Sequence, residues 1–159
     1  MDAVLIWEPF TSDAIRMGGS LMHTGVKSFI RGQEGDYRVY YNYGVVFMAD
    51  DFVKRNPRTV EAFLRALARA QDLIAQPSNH DEVARIIEQP LGLSSLDLTR
   101  RILRENVYSM QITSDWLKIM QQEIEFYASA KMLKKSLDPK ALVDGSFLKK
   151  VRPDWVTGQ

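Results

Sequence analysis

The sequence predicts an α/β chain, rich in helix and carrying only part of a sheet. Three observations say so: a continuous apolar run opens the chain, an aromatic and β-branched segment fills residues 38–49, and helical periodicity dominates after residue 50. The opening run, Ala3-Val4-Leu5-Ile6-Trp7, is too short for a helix and reads as a strand buried on both faces, ended by Pro9. Such a strand belongs inside a parallel or mixed sheet, yet neither a strand nor a crossover helix precedes it. The chain therefore reads as starting in mid-fold, with an incomplete sheet.

Next, Thr11 or Ser12 can cap a short helix over residues 13–17, and Gly18-Gly19 stops it. Residues 25–37 hold Gly25, Gly32 and Gly35 among mixed charges and read as a surface loop. Val39-Tyr40-Tyr41-Asn42-Tyr43-Gly44-Val45-Val46-Phe47-Met48 reads as a second strand. It is long, polar and glycine-containing in its middle, which suits a passage from one lobe to another.

The remainder reads as helices. Asp50 can cap a turn reaching Arg55, and Asn56-Pro57 is a helix start, because proline at the first helical position has no N–H to leave unpaired. Val60, Phe63, Leu64, Leu67 and Ile74 then form one apolar stripe. Ser78-Asn79 opens a helix that buries Val83, Ile86 and Ile87, and Ser94-Ser95 opens another through Leu98, Ile102 and Leu103. Thr113-Ser114-Asp115 caps a longer helix with Leu117, Met120, Ile124 and Tyr127 at intervals of three and four. Residues 137–144 read as a short helical turn, and Asp144-Gly145-Ser146 as a turn. Trp116, Tyr127 and the methionines at helical spacing read as core.

Composition narrows the function. Across 159 residues, 45% are hydrophobic and 26% charged, the balance of an ordinary globular protein. Twenty-one basic residues against 20 acidic ones leave a net charge of +1, too weak a field to gather nucleic acid. Cysteine is absent, which removes disulfides, thiolate metal sites and a cysteine nucleophile. His23 and His80 stand far apart without further ligands at metal-binding spacing, so neither a metal nor another cofactor is expected. The apolar runs fall well short of the roughly 20 residues a membrane span needs, and the first residues lack the basic and apolar regions of a secretory signal. No GxSxG, phosphate-binding loop or nucleophile–base grouping points to catalysis.

Taken in order, three stretches resemble the C-terminal half of the periplasmic substrate-binding proteins of ABC transporters for nitrate, aliphatic sulfonates, taurine and thiamine precursors. They are Asp2-Ala3-Val4-Leu5-Ile6-Trp7-Glu8-Pro9-Phe10, then Val45-Val46-Phe47-Met48-Ala49-Asp50-Asp51-Phe52-Val53-Lys54-Arg55-Asn56-Pro57 with its following helix, and Leu142-Val143-Asp144-Gly145-Ser146-Phe147-Leu148. The resemblance implies part of a type II periplasmic-binding-protein-like fold, in which a small-molecule ligand is held between two lobes. Residues 1–39 would be the remainder of the second lobe, 40–49 a crossover or hinge strand, and 50–159 the helical part of the first lobe. It further implies no enzymatic activity, an ABC permease as partner and a periplasmic or cell-envelope location for the full-length receptor. The same fold family also includes thiamine-pyrimidine synthase and desulfinase types and the effector-binding lobes of regulators, and fold alone does not choose among them. An unmatched strand edge implies self-association.

Ligands of open α/β sheets collect beyond the carboxyl ends of strands, which places Trp7, Glu8 and Pro9 at the expected cleft. In relatives that bind amino acids, the matching acid pairs with an ammonium group, a role that falls to Glu8; the alternative is a solvated acid before a proline. Trp7 offers an apolar wall or is plain core. Thr11 and Ser12 offer a helix start to an anion, or simply cap. Asn42, Tyr43 and Gly44, with Tyr41, lie on the crossover, where they meet ligand and hinge or pack as a strand. A lone Glu8 would repel a simple anion and favour a solute with a cationic or hydrogen-bond-donating end. Arg65, Arg69, Arg100, Arg101 and Arg104 read as solvated helix faces.

Overall fold

The computed structural model describes residues 2–37, 43–93, 95–135 and 137–158. In chain order the elements are helix α1 (Phe10–Arg16), strands β1 (Lys27–Ser28) and β2 (Gly35–Asp36), then helices α2 (Asp50–Arg55), α3 (Pro57–Ile74), α4 (His80–Glu88), α5 (Leu96–Glu105), α6 (Ser114–Ser129), α7 (Pro139–Leu142) and α8 (Ser146–Val151). Short 3-10 turns lie at Pro77–Asn79 and Pro153–Trp155. Helix thus dominates beside one small sheet. No helix among the described residues is long and apolar enough to cross a membrane.

The chain divides into two compact units. One joins Met1–Val45 to Pro77–Val107, and the other joins Val46–Gln76 to Tyr108–Gln159.

In the first unit, α4 packs along α5. Val83, Ala84, Leu98, Thr99 and Leu103 are buried there. Ser95 caps α5 as its sequence predicts, its hydroxyl accepting the Leu98 N–H at 3.2 Å. The wholly buried Thr99 donates to the Ser95 carbonyl at 3.0 Å, which satisfies its hydroxyl. The predicted surface loop contains an antiparallel ribbon, Lys27 opposite Asp36 and Ser28 opposite Gly35.

The expected buried strand at residues 3–7 is not formed. The segment has no ladder partner among the described residues, and Leu5 and Trp7 are 81% and 69% exposed. A strand exists only where a neighbour accepts its backbone N–H and C=O groups, and apolar composition cannot supply that neighbour. Nor do the described residues hold the expected parallel or mixed sheet; their strands are β1 and β2. Residues 43–49 of the second predicted strand are likewise irregular, with Phe47 88% exposed. Residues 38–42 of that prediction lie outside the described residues.

In the second unit α3 packs against α8, α2 against α3, and α6 against α7. Asn56-Pro57 starts α3 as predicted, although the Asn56 side chain donates back to the Phe52 carbonyl instead of capping forward. The stripe of α3 buries Val60 and Ala68 with Leu64 half-buried, whereas Phe63 points outward. The core gathers Ala68, Ile112, Leu148, Trp155 and Val156, with Trp116 packed against it. Tyr127, expected in the core, is exposed on α6.

The last residues close this core. Ile112 donates to the Trp155 carbonyl at 2.8 Å and accepts from the N–H groups of Thr157 and Gly158 at 3.0 and 3.1 Å. At Gly158 an added Cβ would stand 2.6 Å from the Thr113 carbonyl carbon, so only glycine fits. Arg152 grips Asp72 of α3 with two hydrogen bonds of 2.8 and 2.9 Å and lies 4.1 Å from the Trp155 ring centroid.

Candidate functional site

Two of the residues predicted to meet a ligand, Glu8 and Ser12, meet Arg101 of α5 within the first unit. Helix α1 begins at Phe10, three residues earlier than the sequence suggests, because Glu8 supplies the anion at its start. One carboxylate oxygen, Oε2, accepts the Ser12 backbone N–H at 3.2 Å and the Ser12 hydroxyl at 2.7 Å. The other, Oε1, accepts from Nη2 of Arg101 at 3.3 Å. That same Nη2 donates to the Ser12 hydroxyl oxygen, closing a three-membered ring of Glu8, Ser12 and Arg101. Gly18, at φ +96°, lets the chain turn away after α1.

Thr11 is occupied too: its hydroxyl donates to the Ile6 carbonyl at 3.1 Å, and its N–H to that of Trp7 at 3.2 Å. Thr11 and Ser12, expected either to offer a helix start to an anion or simply to cap, both have hydrogen-bond partners within the chain. A carboxylate tethered four residues before Ser12 fills the place without the loss of translational freedom that a solute would suffer. Trp7 is not core; its indole faces outward beside Glu8 in sequence. Pro9 is half-buried at the first residue before α1.

Glu8 is neither lone nor simply solvated. Its side chain is 24% exposed against 43% for Arg101, so the pair sits at the surface of its unit with the acid the more enclosed partner. Arg101 Nε is buried without a hydrogen-bond partner among the described residues. The guanidinium is thus incompletely satisfied even while it neutralises the acid. Arg101 is not simply a solvated face, because it pairs with Glu8, 93 positions away in sequence. Arg100 is paired as well, with Asp81 at 2.7 Å and Asp97 at 2.9 Å. The hydrogen bond from Arg100 holds the Asp81 carboxyl below its ordinary range.

Of the crossover candidates, Tyr43 and Gly44 belong to the described residues. Asn42 lies outside the described residues. Tyr43 is half-buried, and Gly44 has open space where a Cβ would stand, so no close approach requires glycine there.

A cavity of about 350 Å³ opens elsewhere, in the second unit, lined by Asp50, Val53, Lys54, Pro57, Asp144 and Phe147. It is broadly open to solvent, and no predicted site residue lines it. Two acids, one lysine and apolar walls make a mixed lining without convergent donors, so the Glu8 cluster is the stronger site. Among the described residues, no group of three His, Cys, Asp or Glu side chains gathers as a metal site requires.

Comparison with known proteins places the chain. The model of the NMT1-like family matches residues 1–88. The "Putative aliphatic sulfonates-binding protein" of Bacillus subtilis (strain 168) is 25% identical over 158 residues, covering 99% of this chain and 44% of that relative. The chain thus spans less than half the length of the curated relative it matches. No solved structure matches the chain. With the family model covering more than half of its residues, the chain belongs to the NMT1-like family.

Proposed function

We propose that this chain serves in the solute-binding component of an ABC importer for small organic solutes of the sulfonate class. The observation that carries the reading is the match, along 99% of the chain, to a protein named for binding aliphatic sulfonates. The site chemistry supports it. A lone Glu8 would repel a sulfonate, but Arg101 beside it cancels that charge and brings a guanidinium suited to an oxyanion. The exposed Trp7 indole offers a flat apolar surface for an alkyl chain. In this reading the architecture is that of a type II periplasmic-binding-protein-like receptor, with residues 40–49 passing between its lobes. The receptor works outside the cytoplasm and hands its solute to an ABC permease without altering it.

Because a solute that binds only the folded state raises its melting temperature by mass action, a thermal-shift screen tests the reading. It would use the complete polypeptide as its gene encodes it, with alkanesulfonates, aminosulfonates, nitrate and pyrimidines. The expected result is a concentration-dependent rise with one or more sulfonates. A rise with pyrimidines or nitrate alone would overturn the sulfonate assignment, and silence toward every solute would overturn the receptor reading.

A further inference from the structure

The last turn of α6 and the residues after it leave an apolar surface on the second unit. Phe126 and Met132 are 65% and 67% exposed, Tyr127 is exposed beside them, and the Phe126 and Tyr127 rings meet edge to face with 5.7 Å between centroids. The Met132 N–H donates to the Tyr127 carbonyl at 2.9 Å, and the Lys131 N–H to that of Ala128 at 3.0 Å. These two bonds are a Schellman closure, which needs one residue in the left-handed region, and here that residue is Lys131 at φ 57°. Glycine takes that conformation without penalty, whereas a Cβ there crowds the following carbonyl oxygen. Among the described residues, no other non-glycine residue has a positive φ. A lysine kept where its backbone is strained points to a use for its side chain.

Further lysines accompany it. Lys134 and Lys135 follow closely and are exposed, and Lys140 is exposed on α7, which packs against α6. The lysine ion pairs among the described residues are those of Lys118 and Lys150, and Lys131, Lys134, Lys135 and Lys140 take no part in them. The flanking acids are engaged: Glu125 accepts from Gln121, and Asp138 caps α7. Since the whole chain carries only +1, this stretch concentrates a positive charge that is balanced elsewhere. Protein interfaces favour arginine, whose planar fork matches carboxylates, and are depleted in lysine. At an anionic bilayer, in contrast, lysines meet lipid phosphates as point charges while aromatic rings settle at the headgroup level. We propose that Phe126, Tyr127 and Met132, with Lys131, Lys134 and Lys135, form a peripheral docking patch for an anionic lipid surface. The patch is separate from the Glu8 cluster and does not rest on the sulfonate reading.

Cosedimentation of the complete polypeptide with vesicles of phosphatidylcholine, alone or mixed with phosphatidylglycerol, tests the patch. The wild type is expected to bind the mixed vesicles in preference to the neutral ones, and to be released as added salt shortens the screening length. Each lysine near such a surface contributes about fivefold in affinity, so Lys131→Gln, Lys134→Gln and Lys135→Gln combined should weaken binding roughly a hundredfold. Lys131→Gly separates binding from folding: relief of the left-handed strain should raise the melting temperature while affinity for the mixed vesicles falls about fivefold. Equal binding to both kinds of vesicle, or a triple variant that binds as the wild type does, would overturn the proposal. Retention on immobilised polyglutamate without binding to the mixed vesicles would also overturn it, in favour of an acidic protein partner. The comparison of neutral with anionic vesicles needs no variant, so misfolding of a variant cannot mask the answer.

Discussion

The two units are stabilised in different ways. In the second, Trp155, Val156, Ile112, Leu148 and Ala68 share one core, closed by backbone hydrogen bonds and by the clamp of Arg152 on Asp72. In the first, α4 and α5 bury a modest apolar seam, and the α1 segment meets α5 through the ring of Glu8, Ser12 and Arg101. Val4, Leu5, Trp7 and Phe10 around that ring stay exposed. One unit is thus held by apolar packing, whereas in the other a charge contact ties the α1 segment to α5. Within one chain, the candidate binding residues lie where packing is sparse.

The contrast can be broken most severely at Trp155. Trp155→Ala removes the largest buried side chain of the second unit, which is 4% exposed, and should cost about 3–5 kcal/mol in denaturant melts. Gly158→Ala comes next: a methyl group driven against the Thr113 backbone should cost roughly 1–3 kcal/mol and loosen the pairing of Ile112, visible as faster amide exchange there.

A smaller effect comes from acid. The Arg152 hydrogen bond holds the Asp72 carboxyl below its ordinary value of 3.8. With the folded-state pKa depressed, the contribution is complete above 3.8 and fades as pH falls through the folded value. Acid titration of Asp72→Asn should therefore show a flatter stability loss than the wild type below that value. The smallest effect belongs to the exposed apolar residues. Leu5→Ser and Phe47→Ser should each change stability by no more than about 0.5 kcal/mol, and a larger loss would mean that these side chains are packed after all.

Helix positions were the legible part of the fold. Ser95 and Thr113 cap where their types and spacing say, and α3 starts at Pro57, because caps and periodicity act within a few residues. The strand that residues 3–7 suggest is not legible in the same way, because a strand depends on partners that its own composition cannot specify. Trp155 escaped notice as a core residue because it sits in a short 3-10 turn, where neither helical nor alternating periodicity marks a buried face. At the site, Glu8 and Ser12 were legible, being local to one strand-to-helix junction. Arg101 was not, since one arginine among several on a polar helix carries no mark of a partner 93 positions away. That partner changes the chemistry: Glu8 is not a lone acid but half of an ion pair.

Everything said of function rests on this chain taking part in the capture of a sulfonate-bearing solute. Equilibrium dialysis of the complete polypeptide against a labelled alkanesulfonate and its amino-substituted analogue measures that capture directly. The expected result is saturable uptake of one alkanesulfonate per chain. Uptake that rises linearly with concentration for both, without saturation, would contradict it.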